Sequence, residues 1–267
     1  MIYGIINQSI FRDKGGVFLN EVNNNLNNEQ TIKKAVPIIE VIDAKKVYKV
    51  GAERVQALDG VSFTINKGEF CSLLGSSGSG KSTLLNIMAG IETITSGKVF
   101  IKGKEVTAMG ENKLAKFRQR YLGFIFQAYN LINSMTAIEN VELPLIFKEI
   151  PSSKRKKMAK EMLINVGLEK RLTHKPTQMS GGQQQRVGIA RAFVQKPEVV
   201  FADEPTGNLD SKTSKEVMGI MKKMARENEL TIVMVTHDKE MARYADKIIE
   251  IHDGKVIDIR KGEGLSE

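Results

Sequence analysis

The chain has 267 residues, 40 basic and 31 acidic side chains, a formal charge of +9, 41% hydrophobic residues and one cysteine, Cys71. This length supports a real core, the composition excludes a disordered polyelectrolyte, and a lone cysteine excludes a disulfide framework or a zinc site built on several thiolates. No apolar run approaches the ~20 residues that span a bilayer, and the basic balance alone does not choose between nucleic acid, an anionic membrane surface and a phosphate-rich ligand.

Residues 1–36 read as an N-terminal extension. Positions 23–28 are polar and aperiodic, and the apolar stretch 1–11 has neither a basic run before it nor a small-residue cleavage site after it. That argues for a loosely docked tail and against a signal peptide. From residue 37 to 267 the pattern is that of one compact α/β domain. Residues 38–41 and 61–65 read as strands, and 70–74 as a short apolar strand feeding a glycine-rich loop, with a helix over 82–89. Residues 112–172 are rich in helix formers and carry Lys154-Arg155-Lys156-Lys157, which reads as a solvated face or one near anionic headgroups. Further on, 199–202 has the apolar run of a buried strand, Val217, Ile220, Met221 and Met224 recur at helical spacing, and 231–235 is a strand again. Asp253-Gly254 between 248–251 and 256–259 predicts a hairpin. Strands alternating with helices imply a parallel sheet.

Three stretches carry chemistry. Gly75-Ser76-Ser77-Gly78-Ser79-Gly80-Lys81-Ser82 has every fixed position of a phosphate-binding loop, set between a strand and a helix. Its glycines let successive N–H groups converge on phosphate oxygens, and the helix behind presents its positive end to the same anion. Lys81 supplies a mobile charge for the β and γ phosphates and the Ser82 hydroxyl suits Mg²⁺, so the site binds a nucleoside triphosphate. Asp203-Glu204 closes the strand 199–202, at the carboxyl edge where open α/β sheets bind ligands. Asp203 there suits Mg²⁺ through water, and Glu204 the polarisation of an attacking water. Between them, Ser180 N-caps a helix that begins Gly181-Gly182-Gln183, making a second anion site whose ligand the sequence alone leaves open.

These stretches, with a histidine closing a later strand, occur in the order of the ATP-binding cassette (ABC) ATPases, which the chain resembles over roughly residues 37–260; Met179 stands where the family's signature usually has leucine. The resemblance implies a P-loop NTPase fold with a RecA-like core, an N-terminal antiparallel β subdomain and an α-helical subdomain inserted at about 112–190. It implies ATP and Mg²⁺ as cofactors. Positions 75–82 together with Thr83 match the nucleotide loop, Tyr48 the aromatic that stacks on adenine, and Gln127 the loop glutamine that touches Mg²⁺ and water. Asp210 matches the loop linking two active sites, and His237 the switch histidine that contacts the γ phosphate beside the catalytic Glu204. The resemblance also supplies the second anion: Ser180, Gly181, Gly182 and Gln183 close on the γ phosphate held by another copy, so that two ATP molecules are sandwiched in a homodimer. Hydrolysis then loosens the pair.

A finer likeness lies in Arg120-Tyr121-Leu122-Gly123-Phe124-Ile125-Phe126-Gln127, Asn140-Val141-Glu142-Leu143-Pro144 and the stretch 202–210, which look like the lipoprotein-release, macrolide-export and antimicrobial-peptide-resistance branch. That implies a separate transmembrane permease as partner, a place on the cytoplasmic face of the membrane held through that permease, and no nucleic acid. The rivals are a soluble ATPase acting on nucleic acid or the ribosome, which the net charge invites, and a cassette that senses ATP without turnover. A single cassette without a coiled-coil insert argues against the first, and the presence of Glu204 and His237 against the second. His174 and His252 read as turn or surface residues.

Overall fold

The computed structural model describes residues 37–265; the extension expected over 1–36 lies outside them. β1 (Pro37–Val50) and β2 (Glu53–Asn66) form an antiparallel ribbon turned at Gly51-Ala52, where Gly51 supplies a φ of 62°. Sequence patterning marks only 38–41 and 61–65 of it. The ribbon runs on because register shifts near residues 41–47, with Asp43 at φ 44°, absorb the breaks in alternation. β4 (Ser96–Ile101) joins β1, and the two-residue β5 (Lys104–Glu105) joins β4, so the first sheet runs β2-β1-β4-β5 with every pair antiparallel.

The second sheet holds the chemistry. It orders as β10 (Lys255–Lys261), β9 (Lys247–His252), β3 (Phe70–Leu74), β8 (Thr231–Thr236), β7 (Val199–Asp203) and β6 (Leu122–Phe126). All neighbours are parallel except β10, which folds back on β9 through Asp253 and Gly254 at φ 45° and 72°, as the Asp-Gly signal predicts. Side chains alternate between two cores. Phe70, Leu74, Val200, Ala202, Ile232 and Met234 enter one; Cys71, Leu73, Val199, Phe201, Val233 and Val235 enter the other. Burying a large apolar side chain contributes about 1.5–3 kcal/mol, so a parallel sheet apolar on both faces is stable only between covering layers.

Those layers are α1 (Lys81–Met88), α2 (Glu111–Tyr121), α3 (Ala137–Phe147), α4 (Ser152–Asn165), α5 (Gly181–Phe193), α6 (Ser211–Glu227) and the single turn α7 (Lys239–Ala242). The inserted helical region expected over about 112–190 needs a correction at its lower edge. Residues 122–126 are not helical but form β6 in the main sheet, paired with β7 from Leu122↔Val199 to Phe126↔Asp203. The preceding α2 buries Phe117 in the core that also holds the β1–β2 ribbon. The reason is local: Leu122-Gly123-Phe124-Ile125-Phe126 is a short β-favouring run that surrounding helix formers mask. Only after Gln127 do α3 and α4 pack as a separate helical layer, sharing one apolar cluster with α5. α3 begins in a reciprocal cap, Thr136 accepting from Glu139 N–H and Glu139 accepting from Thr136 N–H. On α4, Lys154, Lys156 and Lys157 are exposed, as a solvated face requires, while Arg155 turns inward and donates to the buried Glu142 carboxylate at 2.8 Å.

Candidate active site

The strand registers bring four loops to one edge. Leu74 pairs with Thr236, Val235 with Asp203 and Asp203 with Phe126, so β3, β8, β7 and β6 end nearly level. The residues that follow these ends, Gly75, His237, Glu204 and Gln127, therefore leave the sheet side by side at its carboxyl edge.

The phosphate loop turns tightly against its neighbours. A Cβ at Gly80, which sits at φ 98°, would lie 2.3 Å from the Ala57 carbonyl oxygen, and one at Gly75 would lie 2.2 Å from that of Ile251. Only glycine passes. Ser79 is buried, whereas Ser76, Ser77 and Gly78 are open to solvent, and Thr83 lies half-buried on α1. Lys81 is 4% exposed; its ammonium donates to the Ser76 carbonyl at 2.6 Å and to Ser79 Oγ at 3.3 Å, so it already lies within the cradle. Burial pulls its pKa below the ordinary lysine value, and the charges of Glu204 and Asp203 oppose that shift.

Ser82 Oγ donates to Asp203 Oδ1 at 3.0 Å. The pair expected to hold Mg²⁺ is thus already together, and a hydroxyl with a carboxylate is the hard-oxygen donor set that ion takes. Among the described residues no group of three or more His, Cys, Asp or Glu could form a protein-only metal cage, so a cation here would draw further ligands from water or a bound phosphate. Burial raises the Asp203 carboxyl above the ordinary aspartate value, helped by the charge of Glu204 and opposed by the Ser82 hydroxyl and Lys81. A raised folded-state pKa stabilises the fold fully below the unfolded value, and that stability is lost as pH rises through the folded one. At neutral pH charged Asp203 therefore works against the ligand-free fold. Asp203→Asn is expected to raise the melting temperature of the ligand-free protein near neutral pH, with the gain vanishing in acid, while Mg²⁺-dependent turnover falls. Thermal melts across that pH range check it.

Glu204 holds a φ of 42°, an uncommon conformation for a side-chain-bearing residue and one that concentrates at functional sites. His237 Nδ1 lies 3.0 Å from Glu204 Oε1, so the tautomer with its proton on Nδ1 donates to that carboxylate and leaves Nε2 as an acceptor. Gln127 is tied to the next loop, its Nε2 donating to Asn208 Oδ1 at 3.4 Å and its carbonyl accepting from Asn208 Nδ2 at 3.0 Å. A Cβ at Gly207 would sit 2.8 Å from Gln127 Nε2 and 3.2 Å from Glu204 Oε2. Gln127 and Glu204 thus approach each other across a glycine that sequence reading passes over. Tyr48 is half-buried in the ribbon with the Lys46 ammonium 4.8 Å above its ring. It pairs with Val55, two residues before the Ala57 that touches Gly80, and this register is what ties it to the loop.

The helix tip expected to form a second anion site is a separate surface. Ser180 Oγ accepts from Gln183 N–H at 3.4 Å, the N-cap expected of a serine at this helix start, and Gln183 Oε1 accepts from Ser180 N–H at 3.1 Å, which makes the cap reciprocal. Gly181 and Gly182 admit close neighbours: Cβ atoms there would lie 2.7 Å from Tyr129 Oη and 2.4 Å from Thr213 Cγ2. Ser180, Gly182 and Gln183 line a hollow of about 320 Å³ with Arg171, Arg186 and Thr213, and no phosphate-loop residue lines it. Asp210 caps α6, accepting from Lys212 and Thr213 N–H and from the Thr213 hydroxyl at 2.6 Å; that hydroxyl is the main reason its carboxyl lies below the ordinary aspartate value. Of the remaining histidines, His174 Nε2 lies 3.2 Å from an Arg171 nitrogen, and His252 sits exposed at the end of β9 beside Asp253. Neither joins the site.

Residues 58–207 match the family model described as ABC transporter. The chain is 46% identical over 224 residues to the macrolide export ATP-binding/permease protein MacB of Chlorobaculum tepidum, covering 84% of this chain and 34% of that one. It is 45% identical over 220 residues to the lipoprotein-releasing system ATP-binding protein LolD of Geobacter metallireducens, covering 82% and 98%. Among solved structures it is similar to the ATP-binding cassette MJ0796 of Methanocaldococcus jannaschii, seen as a dimer in a post-hydrolysis state bound to ADP and Pi, with TM-score 0.79, 44% identity and coverage of 85% and 100%.

Proposed function

Since this chain belongs to the ABC transporter family as an ATP-binding, ATP-hydrolysing subunit, we propose that two copies of it close around two ATP molecules and drive a separate transmembrane permease of the macrolide-export or lipoprotein-release type. The observation that carries this reading is the separation of the two anion sites. Lys81 lies in a cradle at one sheet edge, and the Ser180 helix tip lines a hollow that shares nothing with it. Each half lacks what the other offers, and a second copy supplies it.

In the working pair, the N–H groups of residues 75–82 and the Lys81 ammonium bind the phosphates of ATP, and Tyr48 stacks on the adenine. Ser82, Asp203 and Gln127 would hold Mg²⁺, which would offset charge on those phosphates. Glu204 takes the proton of the attacking water, and His237, held through Nδ1, offers Nε2 to the γ phosphate. The partner's Ser180 N-cap, with Gly181, Gly182 and Gln183, closes over that phosphate from the far side, and Asp210 lies in the loop between the two sites. A nucleotide shifts this equilibrium only by the difference in its affinity for the closed and open pairs, and the γ phosphate is where that difference arises. No helix among the described residues is long and apolar enough to cross a membrane, so the permease supplies the spanning part and holds the chain at the cytoplasmic face.

Purification of the tagged chain from membranes in mild detergent tests the partner. A stoichiometric membrane protein whose presence raises ATP turnover is the expected companion. Ribosomes or DNA in its place would overturn the transport reading while leaving the ATPase intact.

A further inference from the structure

Gln185 lies on the buried face of α5 with none of its surface exposed. Its Nε2 donates to the Pro205 carbonyl oxygen at 2.5 Å, across 20 residues of sequence. Its Oε1 is buried and has no partner. An orphaned buried acceptor costs about 1–3 kcal/mol, which leucine or methionine at the same helical position would avoid only by taking this donor away from the buried Pro205 carbonyl. What the amide gains lies at its other end. Pro205 follows Glu204, carries no N–H of its own, and sits in a turn whose backbone ties include Glu204 N–H to the Val235 carbonyl at 3.1 Å and Gly207 N–H to the Glu204 carbonyl at 3.0 Å. With Glu204 at φ 42°, that turn is strained and needs an external anchor.

We propose that Gln185 is a positioning residue: by holding the Pro205 carbonyl it sets the Glu204 carboxylate, and because it rides on the helix that begins at Ser180 it links that helix tip to Glu204 of the same chain. The same helix grips the other catalytic loop, Arg191 donating to the Tyr129 and Asn130 carbonyls at 2.9 and 2.6 Å, where both residues have positive φ. α5 is thus bonded to the segments that follow both Gln127 and Glu204. The proposal rests on Glu204 being the base.

The test compares Gln185→Leu and Gln185→Glu with wild type and with Glu204→Gln, reading kcat, KM for ATP, ATP-dependent dimers and melting temperature. Gln185→Leu leaves the buried Pro205 carbonyl without this donor and is expected to melt somewhat lower than wild type while keeping its KM and dimers; its kcat falls roughly 10- to 100-fold, as displacement of a catalytic group by less than an ångström produces. In Gln185→Glu a buried carboxyl facing a carbonyl oxygen stays protonated at lower pH and donates as the amide does. Its kcat relative to wild type should then fall as pH rises and the proton is lost, and this profile decides the matter should the leucine variant fail to fold. Wild-type kcat in Gln185→Leu, or a Gln185→Glu ratio flat with pH, overturns the proposal while Glu204→Gln remains inactive. Undiminished turnover in Glu204→Gln would instead overturn the assignment of the base.

Discussion

Replacing Glu204 by Gln is expected to lower kcat by about 10²- to 10⁴-fold, the range that a positioned general base supplies, with ATP affinity retained. The amide keeps the size of the side chain and its place beside His237, 3.0 Å away, but cannot accept a proton. Binding depends on different groups, since the cradle around Lys81 and Ser82 is untouched by the change. Single-turnover hydrolysis and nucleotide titration separate the two effects. A variant that still turns over at the wild-type rate would remove Glu204 from the chemistry and leave the purpose of its positive φ unexplained.

The second large effect belongs to Lys81. Its ammonium is held 2.6 Å from the Ser76 carbonyl, inside the turn proposed to receive the phosphates, and burial lowers its pKa against the pull of Glu204 and Asp203. Phosphate oxygens would offset that desolvation far better than a carbonyl does. Lys81→Ala should therefore weaken ATP binding by roughly 10- to 150-fold, the equivalent of ~1.5–3 kcal/mol for a hydrogen bond between charged partners. Equilibrium titration with ATP measures it. Unaltered affinity would mean that the backbone N–H groups alone hold the nucleotide.

Much of this site is legible in the sequence because its motifs are local. The loop at 75–82 is a contiguous pattern whose geometry follows from glycine and helix placement, and Asp203-Glu204 announces itself as acids closing an apolar strand. Ser180 reads as a cap because it stands at the head of a helical run. What the chain conceals is non-local. β6 hides among helix formers, and its place beside β7 is decided by burial on both faces, not by periodicity. Gly207 matters only because Gln127 and Glu204 approach it from different strands. Gln185 does leave a trace, a polar residue on the same helical face as the buried Gly182, Ile189 and Ala192, but its partner at Pro205 is fixed by tertiary packing. The β1–β2 ribbon outruns its patterning for a similar reason, since shifted register breaks the period of two.

That two half-sites with no lining residue in common make one engine is tested by the solution mass of the Glu204→Gln protein with ATP and Mg²⁺, set against the same protein with ADP. A dimer carrying two nucleotides in ATP and a monomer in ADP is the expected result. A monomer at saturating ATP, or one nucleotide held by Lys81 and Ser180 of the same copy, would contradict it.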